Sequence, residues 1–332
     1  MKVSKNIKIF INYFLGPLLF LWLSWSIYRQ IQQQPDLEKA WESIKASFNS
    51  SAVWNLLAVI FLMLLNWGIE ALKWKISVKS VQAVSFWTAF KAVLSGVSFS
   101  VSTPNRVGEY LGRVLYMDEG NRLKTISITI VGSISQLIIT LLMGIAGLLI
   151  LRNTIEASGV ISSLWMQVLI YGVGAVLFFL TVFYFRLSWL TRLINKVPGS
   201  KRFIYLVEAL KDFNATILLR LLSLSAMRFI VFIIQYYLLF RLFGVDVPVW
   251  ESYWAVSVSF LVLAVIPSFA IADIGLRGEV SIKLLGLFSV NSLGIWMTSI
   301  TVWLINLIIP AMIGSLLILG IRKIFRRSKE EV

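Results

Sequence analysis

Six apolar segments, at about 9–28, 53–72, 123–150, 164–186, 215–243 and 292–320, each match or exceed the ~20 residues that carry one helix across a bilayer. Nothing else constrains the chain as much. A backbone inside hydrocarbon must satisfy its own N–H and C=O groups, and for segments of this length the helix does so. Two further regions, 85–117 and 250–288, are apolar but interrupted by Gly, Pro and charged residues. They predict re-entrant or broken-helix hairpins in place of full crossings. The expected fold class is an all-α polytopic membrane protein with about six transmembrane helices and two such hairpins. The first segment has too long an apolar run, and no small-residue cleavage site after it, for a removable signal peptide.

Composition agrees. The 332 residues are 58% hydrophobic and 14% charged, whereas soluble domains are about one-quarter charged. Polar stretches are short, so 1–332 reads as one integral membrane domain. The chain contains no Cys and no His, which excludes disulfides, thiolate chemistry and imidazole-based metal or catalytic sites. No metal or cofactor is expected. The net charge of +15 is read as topology-setting Lys and Arg, not as a nucleic-acid surface.

The loops give an orientation. With the N-tail (Lys2, Lys5, Lys8), Lys73, Lys75, Lys79, Arg113, Arg122, Lys124, the 186–211 segment and the C-tail on one side, that side holds 20 of the 31 Lys and Arg. The opposite side holds 6: Arg29, Lys39, Lys45, Arg152, Arg241 and Lys283. The positive-inside rule then makes both termini cytoplasmic, provided each interrupted region enters and leaves on one side. Between the first two spans, Leu37, Trp41, Ile44 and Phe48 recur at helical spacing, as in a helix lying on the membrane surface. Residues 187–214 read as a basic amphipathic connector, broken at Pro198–Gly199.

Five basic residues stay at membrane depth: Lys91, Arg106, Arg220, Arg228 and Arg277. Each must snorkel, pair or face water. Arg220, near a helix end, is expected to snorkel, and Arg228 to need a partner or a wet cavity. Arg106 belongs to "TPNRVGEYLGR", where Pro104, Arg106, Gly108, Glu109 and Arg113 follow one another in an otherwise apolar region. A related skeleton recurs in "IPSFAIADIGLRGEVSIK", with Pro267, Gly275, Arg277, Gly278, Glu279 and Lys283. In both, a basic residue follows the Glu by four positions, one helical turn.

Under the expected topology, the first hairpin opens from the cytoplasm and the second from the opposite side. Repeat-like units at about 53–150 and 215–320 would then be inverted. That plan recurs in secondary transporters with broken helices and midplane sites. Pro104, Gly108, Pro267, Gly275 and Gly278 would shape the hairpins. Arg106, Glu109, Arg113, Asp273, Arg277 and Glu279 are the candidate substrate-binding residues, because a guanidinium in low dielectric holds a phosphate by paired hydrogen bonds. The other reading stays open at this point: these charges pair only with one another and fix the hairpins.

These motifs and the spacing of the spans resemble the lysylphosphatidylglycerol synthase transmembrane-region family, over about 10–320. The resemblance implies a flippase-like role, moving a phospholipid or lipid-linked, polyprenyl-type intermediate between leaflets of a bacterial or archaeal cytoplasmic membrane. Full-length synthases carry a soluble aminoacyl-transferase domain after the membrane part. Here "IRKIFRRSKEEV" follows the last span directly, so the synthase reaction is not carried over and no enzyme is expected. The expected partners are membrane lipids, through an anionic headgroup or lipid phosphate, and a biosynthetic enzyme partner is left open. No G-x-x-x-x-G-K-[ST] phosphate loop is present. Two alternatives remain: an intramembrane lipid-phosphate enzyme, with the serines of "VSFSVST" (97–103) as its only candidate nucleophiles, or an accessory subunit of a biosynthetic enzyme.

Overall fold

The computed structural model describes residues 37–101, 103, 108–187, 209–266 and 270–330, together with Trp25, Tyr28, Arg29 and Gln32. The first predicted span, the body of the 187–214 connector, Pro104, Arg106 and Pro267 lie outside the described residues. What is described is helical, without strands, as expected for an all-α polytopic membrane protein. Among the described residues, five continuous helical stretches are long and apolar enough to cross a membrane: 53–78, 119–150, 163–185, 215–242 and 292–319. They coincide with five of the six predicted spans.

In chain order the helices are α1 (Leu37–Phe48), α2 (Val53–Val78), α3 (Phe86–Val101), α4 (Gly108–Val114), α5 (Arg122–Ile150) and α6 (Arg152–Ala157). There follow α7 (Ser163–Phe185), α8 (Ala215–Leu242), α9 (Val249–Val265), α10 (Ala270–Leu285), α11 (Ser292–Trp303) and α12 (Ile309–Glu330). At 16 and 7 residues, α3 and α4 are too short to span a bilayer. The same holds for α9 and α10, at 17 and 16 residues. These pairs occupy the two interrupted regions.

The chain forms two compact units. One comprises 1–61, 143–170 and 233–304. Within it, α10 packs on both α9 and α11, and α1 packs on α11. On α1, Ile44 is buried while Trp41 and Phe48 stay partly exposed. The end of α8 is tightly determined. Gly244 takes a left-handed φ of 63°, and the Val245 amide returns to the Phe240 carbonyl at 2.8 Å, closing a Schellman cap. Asn291 then donates to the Phe243 and Gly244 carbonyls, at 3.0 and 2.9 Å, and accepts from the Gly294 amide that opens α11.

The other unit comprises 62–142, 171–232 and 305–332. Its centre is the α3–α4 hairpin with α12 laid against α3. Glycines make this approach close enough. A Cβ on Gly96 would stand 2.7 Å from the Glu109 carbonyl oxygen, and one on Gly112 would strike the Ser95–Gly96 peptide. Gly314 of α12 meets the Leu94 carbonyl in the same way. The two helices of the hairpin are antiparallel, since Gly108 faces Phe99 while Gly112 faces Ser95. Thr103 links them: its hydroxyl donates to the Phe99 carbonyl at 3.1 Å and accepts the Gly108 amide at 2.7 Å.

Gly275 and Gly278 do not break a helix as expected; both are buried inside the continuous α10. A glycine in a helix interior costs only about 1 kcal/mol, which packing offsets. Before that helix, α9 ends at Ile266, whose backbone is extended.

Candidate functional site

The site begins with the face of α2 that the sequence places at i, i+4 and i+7: Asn66, Glu70 and Lys73. All three are buried, with Glu70 only 4% exposed. A lone carboxylate there would be costly, and a buried charge persists only when paired and hydrogen-bonded. Glu70 meets three cations. Lys73, one turn along α2, places Nζ 2.8 Å from Oε2. Arg113 of α4 donates from Nη2 to Oε1 at 2.9 Å. Arg228 of α8 donates from Nη1 to Oε2.

Each cation has further partners. Arg113 also pairs with Glu109 one turn earlier on α4. Arg228 donates from Nε to Asn66 Oδ1 at 2.7 Å and lies over the Trp67 ring at 5.4 Å, a cation–π contact that favours a desolvated guanidinium. Lys73 donates to the Gly132 carbonyl at 3.2 Å and to Ser225 Oγ at 3.4 Å. Ser225 is itself 2.9 Å from Ser135 Oγ.

A helix irregularity holds Trp67 in place. Pro310 has no N–H to offer the Asn306 carbonyl four residues earlier, and residues Leu304–Ile308 form a π turn just before α12. The freed Asn306 carbonyl accepts the indole N–H of Trp67 at 3.2 Å. Such π turns recur at functional sites. Here a backbone defect in one helix fixes the ring that covers Arg228.

The charges do not balance. Among the described residues, the cluster holds Lys73, Arg113 and Arg228 against Glu70 and Glu109. Among the described residues, two of its buried donors, Arg113 Nε and Asn66 Nδ2, have no acceptor. The cluster is therefore one anion short in charge and has donors to spare.

Of the predicted residues, Glu109 and Arg113 come together here. Lys73 and Arg113 need correction as topology markers. Both were counted with the cytoplasmic loops, and both are buried in helices. The reason is the same for both: each pairs with Glu70 inside the protein, and α2 continues to Val78 instead of ending before Lys73. Without them the loop count is 18 against 6, still in the same direction.

The second predicted cluster is split between two pairs. On α10, Arg277 pairs with Asp273 at 2.8 Å and Glu279 with Lys283 at 3.3 Å, each four residues apart. Residues 277 and 279 are two apart, so they point to different sides of one helix. Beside the Asp273–Arg277 pair lies a second buried polar group. Ser281 and Ser299 are 2.7 Å apart, with the buried Tyr236 close to both.

Sequence reasoning missed Glu70, Asn66 and Trp67. The available signal was Glu70 itself, a carboxylate inside a long apolar run, which is functional by default at membrane depth. Arg228, expected to need a partner, has found it in Glu70.

With this geometry in view, the comparison with known families is decisive. The sequence model for the lysylphosphatidylglycerol synthase TM region matches residues 13–314. The chain belongs to this family. It is accordingly a multi-pass membrane protein of lipid metabolism or transport. Comparison with curated proteins gives no match. The family match encloses every residue of the Glu70 cluster, from Asn66 to Arg228.

Proposed function

We propose that this protein is a flippase-like lipid transporter, moving a phospholipid or lipid-linked phosphate between leaflets of the cell membrane, and that the Glu70 cluster is where it holds the phosphate. The observation that carries this reading is the imbalance of the cluster. Among the described residues, three buried cations face two carboxylates, and the Nε of Arg113 has no acceptor. A phosphodiester supplies the missing negative charge, with oxygens for the guanidinium fork.

In this mechanism Glu70 and Glu109 hold Arg113 while the site is empty. An arriving phosphate takes over part of that role, and the carboxylates reclaim the arginine when the lipid leaves. The side chain of Glu109 is 22% exposed against 5% for Glu70, so Glu109 is the carboxylate that yields first. The acyl chains stay in the bilayer throughout, and the re-entrant reading of the α3–α4 hairpin supplies an opening from one side. The same reading places both termini in the cytoplasm and makes lipids the primary partners.

Of the serines in 97–103, Ser98 and Ser100 fit packing better than nucleophilic chemistry, and Ser102 lies outside the described residues. Ser98 Oγ lies 2.6 Å from Ser315 Oγ at the α3–α12 crossing, and Ser100 donates to the Val97 carbonyl at 2.7 Å. Neither hydroxyl is hydrogen-bonded to a side chain that could serve as a base, which is the constellation a hydrolase needs.

The test is leaflet exchange of labelled phospholipids in proteoliposomes, comparing wild type with Arg113→Gln and Arg106→Ala. Wild type should exchange lipid, and Arg113→Gln should slow exchange at least tenfold. If all three exchange alike, the site is wrong. If wild type moves no lipid but releases phosphate from a polyprenyl pyrophosphate, the hydrolase reading replaces this one.

A further inference from the structure

The helices α2 and α8, which carry part of the cluster, also line a separate groove. Leu72 and Ile76 of α2, with Thr216, Leu219, Arg220, Ser223 and Leu224 of α8, line an open cavity of about 400 Å³. On α8 these positions recur at i, i+3, i+4, i+7 and i+8, a single helix face. Arg228 and Ser225 point instead into the cluster.

Arg220 is the unusual member. It is exposed, and among the described residues no ion pair or hydrogen bond is found for its guanidinium. It stands five residues after the start of α8, about 7.5 Å along the axis at 1.5 Å per residue. On a lipid-facing surface, that depth lets a long side chain snorkel to the phosphate level. Thr216 and Ser223 stand one turn to either side; the Ser223 hydroxyl donates to the Leu219 carbonyl at 3.0 Å, which leaves Thr216 as the hydroxyl donor beside Arg220. The remaining lining residues are Leu and Ile.

We propose that this groove binds an anionic phospholipid of the surrounding bilayer. The phosphate pairs with Arg220 and accepts from the Thr216 hydroxyl, while an acyl chain lies along Leu72, Ile76, Leu219 and Leu224. The charge argues for this occupant. A guanidinium facing lipid, with no carboxylate paired to it among the described residues, is satisfied by a phosphate, and the aliphatic walls favour a lipid over a soluble anion. The orientation expected from the loop charges puts the groove in the cytoplasmic leaflet. The site is separate from the Glu70 cluster and does not depend on lipid exchange occurring there.

The experiment is native mass spectrometry of the full chain in mild detergent, offered equal amounts of phosphatidylglycerol and phosphatidylcholine with identical acyl chains. Wild type should retain phosphatidylglycerol in preference. Arg220→Ala should reduce that retention about tenfold, the loss expected when one charge-assisted hydrogen bond disappears. Leu224→Trp, which fills the groove with Arg220 intact, should reduce it too. Arg220→Lys should keep most of it, and so should Lys91→Ala, an exposed cation elsewhere. Should Arg220→Ala not fold, Leu224→Trp and Arg220→Lys decide the matter. Equal retention by wild type and Leu224→Trp would overturn the proposal, as would displacement of the lipid by an equal concentration of soluble glycerophosphate. Lipid exchange with Arg113→Gln reads the other site, so the two proposals fail separately.

Discussion

Replacing Glu70 with Gln keeps the shape of the side chain and removes its charge. Three cations would then share only Glu109, in a site where every member except Glu109 is no more than 8% exposed. Unit charges ~4 Å apart attract by about 4 kcal/mol at an effective dielectric of ~20. Three such contacts give a gross attraction of roughly 12 kcal/mol, most of it offset by the desolvation of the ions. Breaking one partner out of a buried pair costs ~3–5 kcal/mol, because the orphaned charge stays behind. The expected loss for Glu70→Gln is in that range. Chains of 150–250 residues lose about 2–4 °C in Tm per kcal/mol. With 332 residues, this chain takes the lower end, for a drop of roughly 6–10 °C. The assay is thermal unfolding of the purified protein in detergent, read by loss of the monodisperse peak. Glu70→Gln/Arg228→Met should recover part of the loss, since it removes one orphaned cation. A drop below about 2 °C for Glu70→Gln, or a double mutant worse than the two singles combined, would refute the electrostatic account.

Further outcomes follow from the same geometry. Lys73→Met leaves two cations against two carboxylates, so stability should stay within ~1 kcal/mol of wild type; lipid exchange in proteoliposomes should nevertheless fall, because the surplus charge is gone. Gly112→Ala places a methyl against the Ser95–Gly96 backbone, and the overpacking should cost about 1–3 kcal/mol in the same thermal assay. Trp67→Phe removes the indole donor from the Asn306 carbonyl but keeps a ring over Arg228. A loss of ~1–2 kcal/mol is expected, and adding Pro310→Ala, which restores an N–H for that carbonyl, should recover part of it.

Much of this architecture was legible in the sequence, for one reason: the bilayer imposes a length. The spans at 53–72, 123–150, 164–186, 215–243 and 292–320 were found because apolar runs of that size have one stable backbone solution in hydrocarbon. The two interrupted regions stand out because Gly and charged residues break otherwise apolar stretches, and each holds a pair of helices too short to span a bilayer. Helix ends were less legible. Lys73 read as the first residue of a loop, although α2 runs five residues further. A cation at the end of an apolar run looks the same in sequence whether it faces water or a buried carboxylate. Gly275 and Gly278 read as a break for a similar reason: glycine permits one without requiring it.

Local spacing set the short-range pairs. Glu109 with Arg113, Asp273 with Arg277 and Glu279 with Lys283 are each one helical turn apart, and the helix alone brings them together. The centre of the site is different. Glu70 meets Arg113 across 43 positions and Arg228 across 158, and no periodicity within one helix relates them. Which faces of α2, α4 and α8 turn toward one another depends on packing, on glycines that let α3 and α4 touch, and on a proline that frees one carbonyl for Trp67. The apolar sequence by itself determined that the chain folds as membrane helices. Tertiary packing decided which buried charges neutralise one another, because a charge in low dielectric must find its partner in space, however distant in the chain.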